Sequence, residues 1–157
     1  MTESNVNPLH IPIPWIYAIA YLLGVALQFL SPIGVGSGAA FETLLLVGFL
    51  LLALGGSVAA WALRIFGSVH TTTVPSEGST TLVTWGPYRF SRNPMYLGLL
   101  LFFIGISFVS LSLWSIIPLL AVVCYLNWVE IPGEERQLAG AFGEAYEDYR
   151  RRVRRWM

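Results

Sequence analysis

The sequence predicts an all-α integral membrane protein of about four transmembrane helices, with a C-terminal amphipathic helix on the cytoplasmic side. Charged residues make up 11% of the 157 and hydrophobic residues 55%, whereas a soluble domain carries about a quarter of its residues as charges. The apolar residues fall in uncharged stretches of the length a helix needs to cross hydrocarbon. Six Trp and seven Tyr supply rings suited to the headgroup level. The chain reads as a single membrane domain over residues 1–157.

The first span, 15–30, opens on Trp15 and is apolar apart from Gln28. No Lys or Arg precedes it and no small-residue cleavage site follows in the expected place, so a secretory signal peptide is not expected. Pro32, Gly34, Gly36 and Gly38 then impose a short uncharged loop. The second span, 43–63, covers about 30 Å at 1.5 Å per residue, and Arg64 closes it. Residues 64–93 form a long polar loop holding Thr71, Thr72, Thr73, Pro75, Gly78 and Ser79, and loops of that length tend to be functional. Residues 94–129 are again uncharged until the end of the run, but as one helix they would measure about 54 Å, too much for a single crossing. A turn near Ser110, Leu111 and Ser112 therefore divides them into spans 94–109 and 113–129, the second kinked at Pro118. Beyond Gly133, residues Leu138, Phe142, Ala145, Tyr149, Val153 and Trp156 recur at three- and four-residue spacing. That pattern describes an amphipathic helix over 134–156, lying on the membrane or folded back on the spans.

Net charge is zero, yet all nine basic residues are Arg and none precedes Arg64. Four spans put both termini, the long loop and the Arg-rich tail on one side, which the positive-inside rule makes cytoplasmic, as in a cell inner membrane. Arg150, Arg151, Arg152, Arg154 and Arg155 suit anionic lipid headgroups; with so apolar a body, a nucleic-acid partner is not expected. The lone Cys124 lies in an apolar run and reads as a buried, inert thiol, with no disulfide or metal pair. His10 and His70 are too few and too far apart in sequence for a His-based metal site, so no metal is expected.

Two constellations carry chemistry. Asn93 and Pro94 are good N-cap and first-helical residues for the third span, whose N-terminus presents free N–H groups and the positive end of a dipole to a carboxylate or phosphate. Arg92 adds a full charge. Capping alone accounts for Asn93 and Pro94 without a ligand. At the far end stand Glu130, Glu134 and Glu135. Acidic residues in a helix's first turn simply complement its dipole, but a carboxylate at a membrane boundary facing a bundle interior is also the natural partner of an ammonium or sulfonium group. A hairpin of two short spans returns the chain to the face it left, so Glu134 comes back near Asn93 and Tyr96. A zwitterion fits between them, carboxylate at the helix N-terminus and ammonium at the glutamate.

The run from Leu82 to Gly98, with Gly86, Pro87, Tyr88, Arg89, Arg92, Pro94 and Tyr96, and the run Glu134, Glu135, Leu138, Phe142, Gly143, Tyr146, Tyr149 and Val153 resemble the paired motifs of the isoprenylcysteine carboxyl methyltransferase family. That family belongs to the wider group of integral-membrane methyltransferases that includes phospholipid methyltransferases. The resemblance covers roughly residue 70 onward. It implies S-adenosyl-L-methionine as cofactor, with Thr80, Thr81, Leu82 and Val83 lining its pocket beside Tyr88, and Thr73 a further candidate. It implies cofactor contact along Asn93, Pro94, Met95 and Tyr96, with Glu134 holding the methionine end and Glu135 supporting it. The chain departs from the family twice. Asn93 stands where many relatives have His, which keeps hydrogen bonding but gives up a titratable group. Glu130 stands where eukaryotic members carry an Arg thought to face the substrate, which removes a clamp for a carboxylate acceptor.

The expected chemistry is direct in-line transfer of a methyl group to a lipophilic acceptor entering from the bilayer, with orientation and desolvation as the main contributions. Arg92 and Glu130 are the candidate catalytic residues, Glu130 as a base if burial raises its pKa. The acceptor stays open between an isoprenylcysteine carboxylate, a phospholipid amine and a small thiol. A nicotinamide-dependent membrane reductase and a non-catalytic lipid-binding protein are the competing readings; the first lacks a basic cluster for a dinucleotide's phosphates.

Overall fold

The computed structural model describes residues 12–68 and 81–157. Every regular element among them is helical. α1 is Ile13–Leu30, α2 Ala39–Ser68, α3 Pro94–Val109, α4 Ile116–Tyr125, α5 Ile131–Phe142 and α6 Glu144–Arg152. Ile13–Leu30, Ala39–Ser68 and the unbroken rod Leu113–Phe142 are each long and apolar enough to cross a membrane. Of their most apolar windows only 22%, 17% and 28% is buried within the protein, so most of that surface is left for lipid. α3 is apolar and covers the short span expected over 94–109, but with 16 residues, about 24 Å at 1.5 Å per residue, it falls below the crossing length of the other three.

α1 starts as its prolines dictate, with Pro12 at the cap and Pro14 in the first turn, where a missing N–H costs nothing. Tyr17, Ala20 and Gly24 form its buried face, while Trp15, Leu22 and Phe29 point outward. α2 is longer than the 43–63 segment: Arg64 lies inside it, and one more turn runs to Ser68.

Buried small residues on α2 recur at seven-residue spacing, Gly48, Gly55 and Ala62, and so do Gly98 and Gly105 on α3. A seven-residue step stays on one face of a helix, so the two stripes meet. A Cβ on Gly98 would lie 2.6 Å from the Ala59 nitrogen, and one on Gly105 2.5 Å from the Leu52 nitrogen. Lipid provides no hydrophobic drive between helices, so this backbone-to-backbone approach supplies the van der Waals contact instead.

Ser110, Leu111 and Ser112 turn the chain after α3, Leu111 at φ 56° and the Ser112 amide donating to the Ser107 carbonyl at 2.9 Å. Across the turn α1 comes down onto Ser115, whose hydroxyl donates to the Tyr21 carbonyl at 3.0 Å. Tyr17, Leu119, Leu126, Ile131 and Tyr96 make the core between α1, α3 and the rod. Pro118 falls in the first turn of α4; the irregularity of the rod lies further on, in the π-helical turn Leu126–Glu130. Cys124 is exposed on the rod, not buried as its apolar neighbours imply, because those neighbours face lipid as well.

The expected helix over 134–156 is replaced by a different division of the same residues. Gly133 does not interrupt the rod, which carries Glu134 and Glu135 on α5. The break comes at Gly143, at φ 51° and ψ −125°, a conformation that side chains with a Cβ disfavour. α6 ends at Arg152, and Val153 is extended. The tail then folds back onto the residues that precede α3, the Arg92 amide donating to the Arg154 carbonyl at 3.0 Å.

Candidate active site

The start of α3, the segment before it, the end of α2, α5 and α6 surround one cleft, with about 820 Å³ of empty space counting its open mouth. One wall is apolar. Phe66 and Tyr88 meet edge to face at 5.4 Å, and Val83 and Tyr88 pack with Ala62, Ile65 and Met95. Gly86, at φ +63°, turns this segment against Trp61 and Ile65 of α2. Tyr149 donates to the Tyr88 carbonyl at 2.8 Å, so α6 fixes the same wall. Burial pushes the Tyr149 phenol well above its ordinary range, with Arg92 opposing, so it remains a donor at any physiological pH.

The opposite wall is polar. The Tyr96 hydroxyl, in the first turn of α3, donates to Glu134 Oε1 on α5. Tyr96 is itself fixed at the backbone, where its carbonyl accepts the Tyr17 hydroxyl at 3.1 Å. Glu135 is engaged differently: Arg92 Nη1 lies 2.9 Å from its Oε1, and Arg155 grips both its oxygens. Arg92 Nη1 also donates to the Tyr146 hydroxyl at 3.4 Å. Its Nε is buried and has no partner among the described residues.

Asn93 occupies the N-cap position of α3, its carbonyl accepting the Leu97 amide at 3.1 Å, but its side chain makes no cap bond; Nδ2 donates instead to the Arg155 carbonyl at 3.0 Å. With Pro94 lacking an N–H, the first-turn amides of Met95 and Tyr96 have no side-chain cap, and a helix's first amides lack intrahelical acceptors. Side-chain capping therefore does not account for Asn93, and the structure uses it to tie down the tail.

Of the residues singled out in the sequence, Thr81, Leu82, Val83, Tyr88, Arg92, Asn93, Pro94, Met95, Tyr96, Glu134 and Glu135 line the cleft. Thr73 and Thr80, with His10 and His70, lie outside the described residues. Glu130 is one helical turn before Glu134 and does not line the cleft; it is half-buried and accepts from the exposed Tyr125 at 3.1 Å. Phe66, Leu138, Tyr146 and Tyr149 line the cleft without having been singled out as site residues. Phe66 escapes notice when α2 is ended at residue 63. Tyr149 belongs to the helical stripe, and Tyr146 and Tyr149 both to the second motif, which assigns neither of them to the site.

Residues 43–145 match the family model described as phospholipid methyltransferase. The chain belongs to the phospholipid methyltransferase family. Among curated proteins, the probable protein-S-isoprenylcysteine O-methyltransferases of Oryza sativa subsp. indica and subsp. japonica are 28% identical over 109 residues, 68% of this chain and 57% of theirs. Protein-S-isoprenylcysteine O-methyltransferase B of Arabidopsis thaliana is 33% identical over 84 residues, 54% of this chain and 43% of that one. The chain thus spans about half the length of the curated relatives it matches. No solved structure matches. The phospholipid methyltransferase match and these relatives agree with the resemblance carried by the two motifs, and with an integral-membrane protein of methyltransferase type. The matched stretch ends before Tyr146, so Tyr146 and Tyr149 of α6 complete the cleft from outside it.

Proposed function

We propose that the chain is an S-adenosyl-L-methionine-dependent methyltransferase acting on a lipophilic acceptor that reaches the cleft from the bilayer. The observation that carries this reading is the Tyr96–Glu134 hydrogen bond across a cleft in which Arg92 keeps a buried donor unpartnered among the described residues. The donor set fits the cofactor. Glu135 is neutralised by two guanidiniums, which leaves Glu134 as the carboxylate for an ammonium, and the Arg92 Nε with the uncapped α3 N-terminus for a carboxylate. The apolar wall of Phe66, Val83 and Tyr88 suits a flat heteroaromatic ring.

S-adenosyl-L-methionine, when bound, supplies a methyl group on a cationic sulfur that an acceptor can displace directly. Tyr96 occupies one Glu134 oxygen and leaves the other for the ammonium. Arg92, held by Glu135 and Tyr146, fixes the opposite end. The protein's share is alignment and exclusion of water, with no covalent intermediate on the chain.

The relatives' printed names point to an isoprenylcysteine carboxylate as acceptor. The position of Glu130 favours a second reading, a phospholipid amine or a thiol, because a carboxylate one turn from Glu134 repels an anionic acceptor. The exposed Arg150, Arg151, Arg152 and Arg154 are suited to anionic headgroups, which supports reading the cleft and tail as lying at the cytoplasmic face of a multi-pass fold. Incubating the purified protein with methyl-labelled S-adenosyl-L-methionine and a membrane lipid extract tests the reading. A labelled lipid formed by the parent and not by Glu134→Ala is expected; label absent from every lipid, or equal for both, overturns it.

A further inference from the structure

The second carboxylate of the cleft is held from outside it. Arg155 Nε and Nη2 donate to Glu135 Oε1 and Oε2 at 3.2 and 2.7 Å, the two-toothed geometry that a guanidinium favours. Its Nη1 donates to the carbonyl and the side-chain oxygen of Asn127 at 3.1 and 3.2 Å. That carbonyl is available for a reason written in the sequence. In the π-helical turn the Ile131 amide steps back five residues to the Leu126 carbonyl, and the next amide in that register belongs to Pro132, which has none. The Arg155 carbonyl meanwhile accepts from the Ser91 hydroxyl at 3.2 Å and from Asn93 Nδ2 at 3.0 Å. One tail residue therefore ties the segment before α3 to the rod, and the stretch matching the family model ends before it.

Glu135 is shared: Arg155 takes both oxygens, and Arg92 approaches one of them with Nη1 alone. Without Arg155, Glu135 could turn both oxygens to Arg92, which would close on it as a fork and bring the Arg92 Nε into that pairing. We propose that Arg155 is a positioning residue of the cleft, which by saturating Glu135 keeps the Arg92 guanidinium turned toward the carboxylate end of the cofactor. The inference rests on the cleft being a cofactor site as read above. A lysine could not substitute, because a single ammonium does not engage two oxygens and Asn127 together.

The test compares S-adenosylhomocysteine with its decarboxylated analogue, by calorimetry on the full chain in phosphatidylethanolamine–phosphatidylglycerol nanodiscs. Arg155→Gln is expected to weaken S-adenosylhomocysteine about tenfold while leaving the decarboxylated analogue within about twofold, since a displaced Arg92 is felt only by a carboxylate. Arg155→Lys should show the same selective loss, and keeps the test readable if the Gln variant does not fold. Arg136→Gln, exposed on the same rod, should bind both as the parent does. Equal losses for the two ligands, as a purely structural role would give, or no loss for either, overturn the inference alone. Failure of the parent to bind S-adenosylhomocysteine overturns the cofactor reading and the inference with it.

Discussion

Glu134 and Glu135 are neighbours on one helical turn, and their partners divide their work. Glu135 answers two guanidiniums with side chains 11% and 30% exposed, and is itself 14% exposed; Glu134 answers one phenol. Removing one member of a largely buried ion pair strands the other charge and costs about 3–5 kcal/mol. Glu135→Gln is therefore expected to lower the thermal unfolding midpoint in detergent markedly, whereas Glu134→Gln should leave it near the parent value and weaken cofactor binding. Equal midpoints for the two variants would contradict this division. By local pattern the adjacent carboxylates are equivalent, since both fit a helix's first turn, and only the family resemblance divides them, giving Glu134 the methionine end and Glu135 a supporting place. What separates them in the structure is Arg155, 20 residues on, at a distance no local pattern encodes. Asn93 teaches the same lesson: its position before Pro94 has the form of a cap, yet the tail carbonyl of Arg155 takes its amide.

Helix lengths follow hydropathy, but helix contacts follow the small residues. The apolar stretches mark α1 and α2 within a few residues, because lipid surrounds both and a charge-free run has no other solvent. The glycine stripes that join α2 to α3 are invisible to a reading built on apolar periodicity, since Gly and Ala contribute little to it. They predict that Gly98→Ala, whose Cβ would meet the Ala59 nitrogen at 2.6 Å, costs about 1–3 kcal/mol by overpacking, whereas Gly140→Ala, with open space around it, should be neutral or stabilising. Unfolding of both variants in one detergent checks this, and a Gly98→Ala variant as stable as the parent contradicts the close approach. The division of the C-terminal segment was misread for a related reason. Gly133 and Gly143 are both plausible helix ends, and only the second adopts a positive φ.

At the scale of the whole molecule, the helical class, the membrane-length helices and the assembly of the two motifs around one cleft are legible in composition and spacing. The tail's fold-back is not, because it depends on hydrogen bonds between residues far apart in the chain. The arginine bias predicts sidedness. In a Cys124→Ser background, a maleimide that cannot cross membranes should label Ser37→Cys in intact cells and Arg151→Cys only after permeabilisation; the reverse pattern would contradict a cytoplasmic cleft. The central claim is that Tyr96 and Glu134 jointly hold the cofactor, and equilibrium dialysis of labelled S-adenosyl-L-methionine against purified protein tests it most directly. Saturable binding at one site per chain is predicted, weakened about tenfold or more in Tyr96→Phe, as fits a hydrogen bond to a charged group, and abolished in Glu134→Ala. Binding to both variants as tight as to the parent, or no binding at all, would contradict the account.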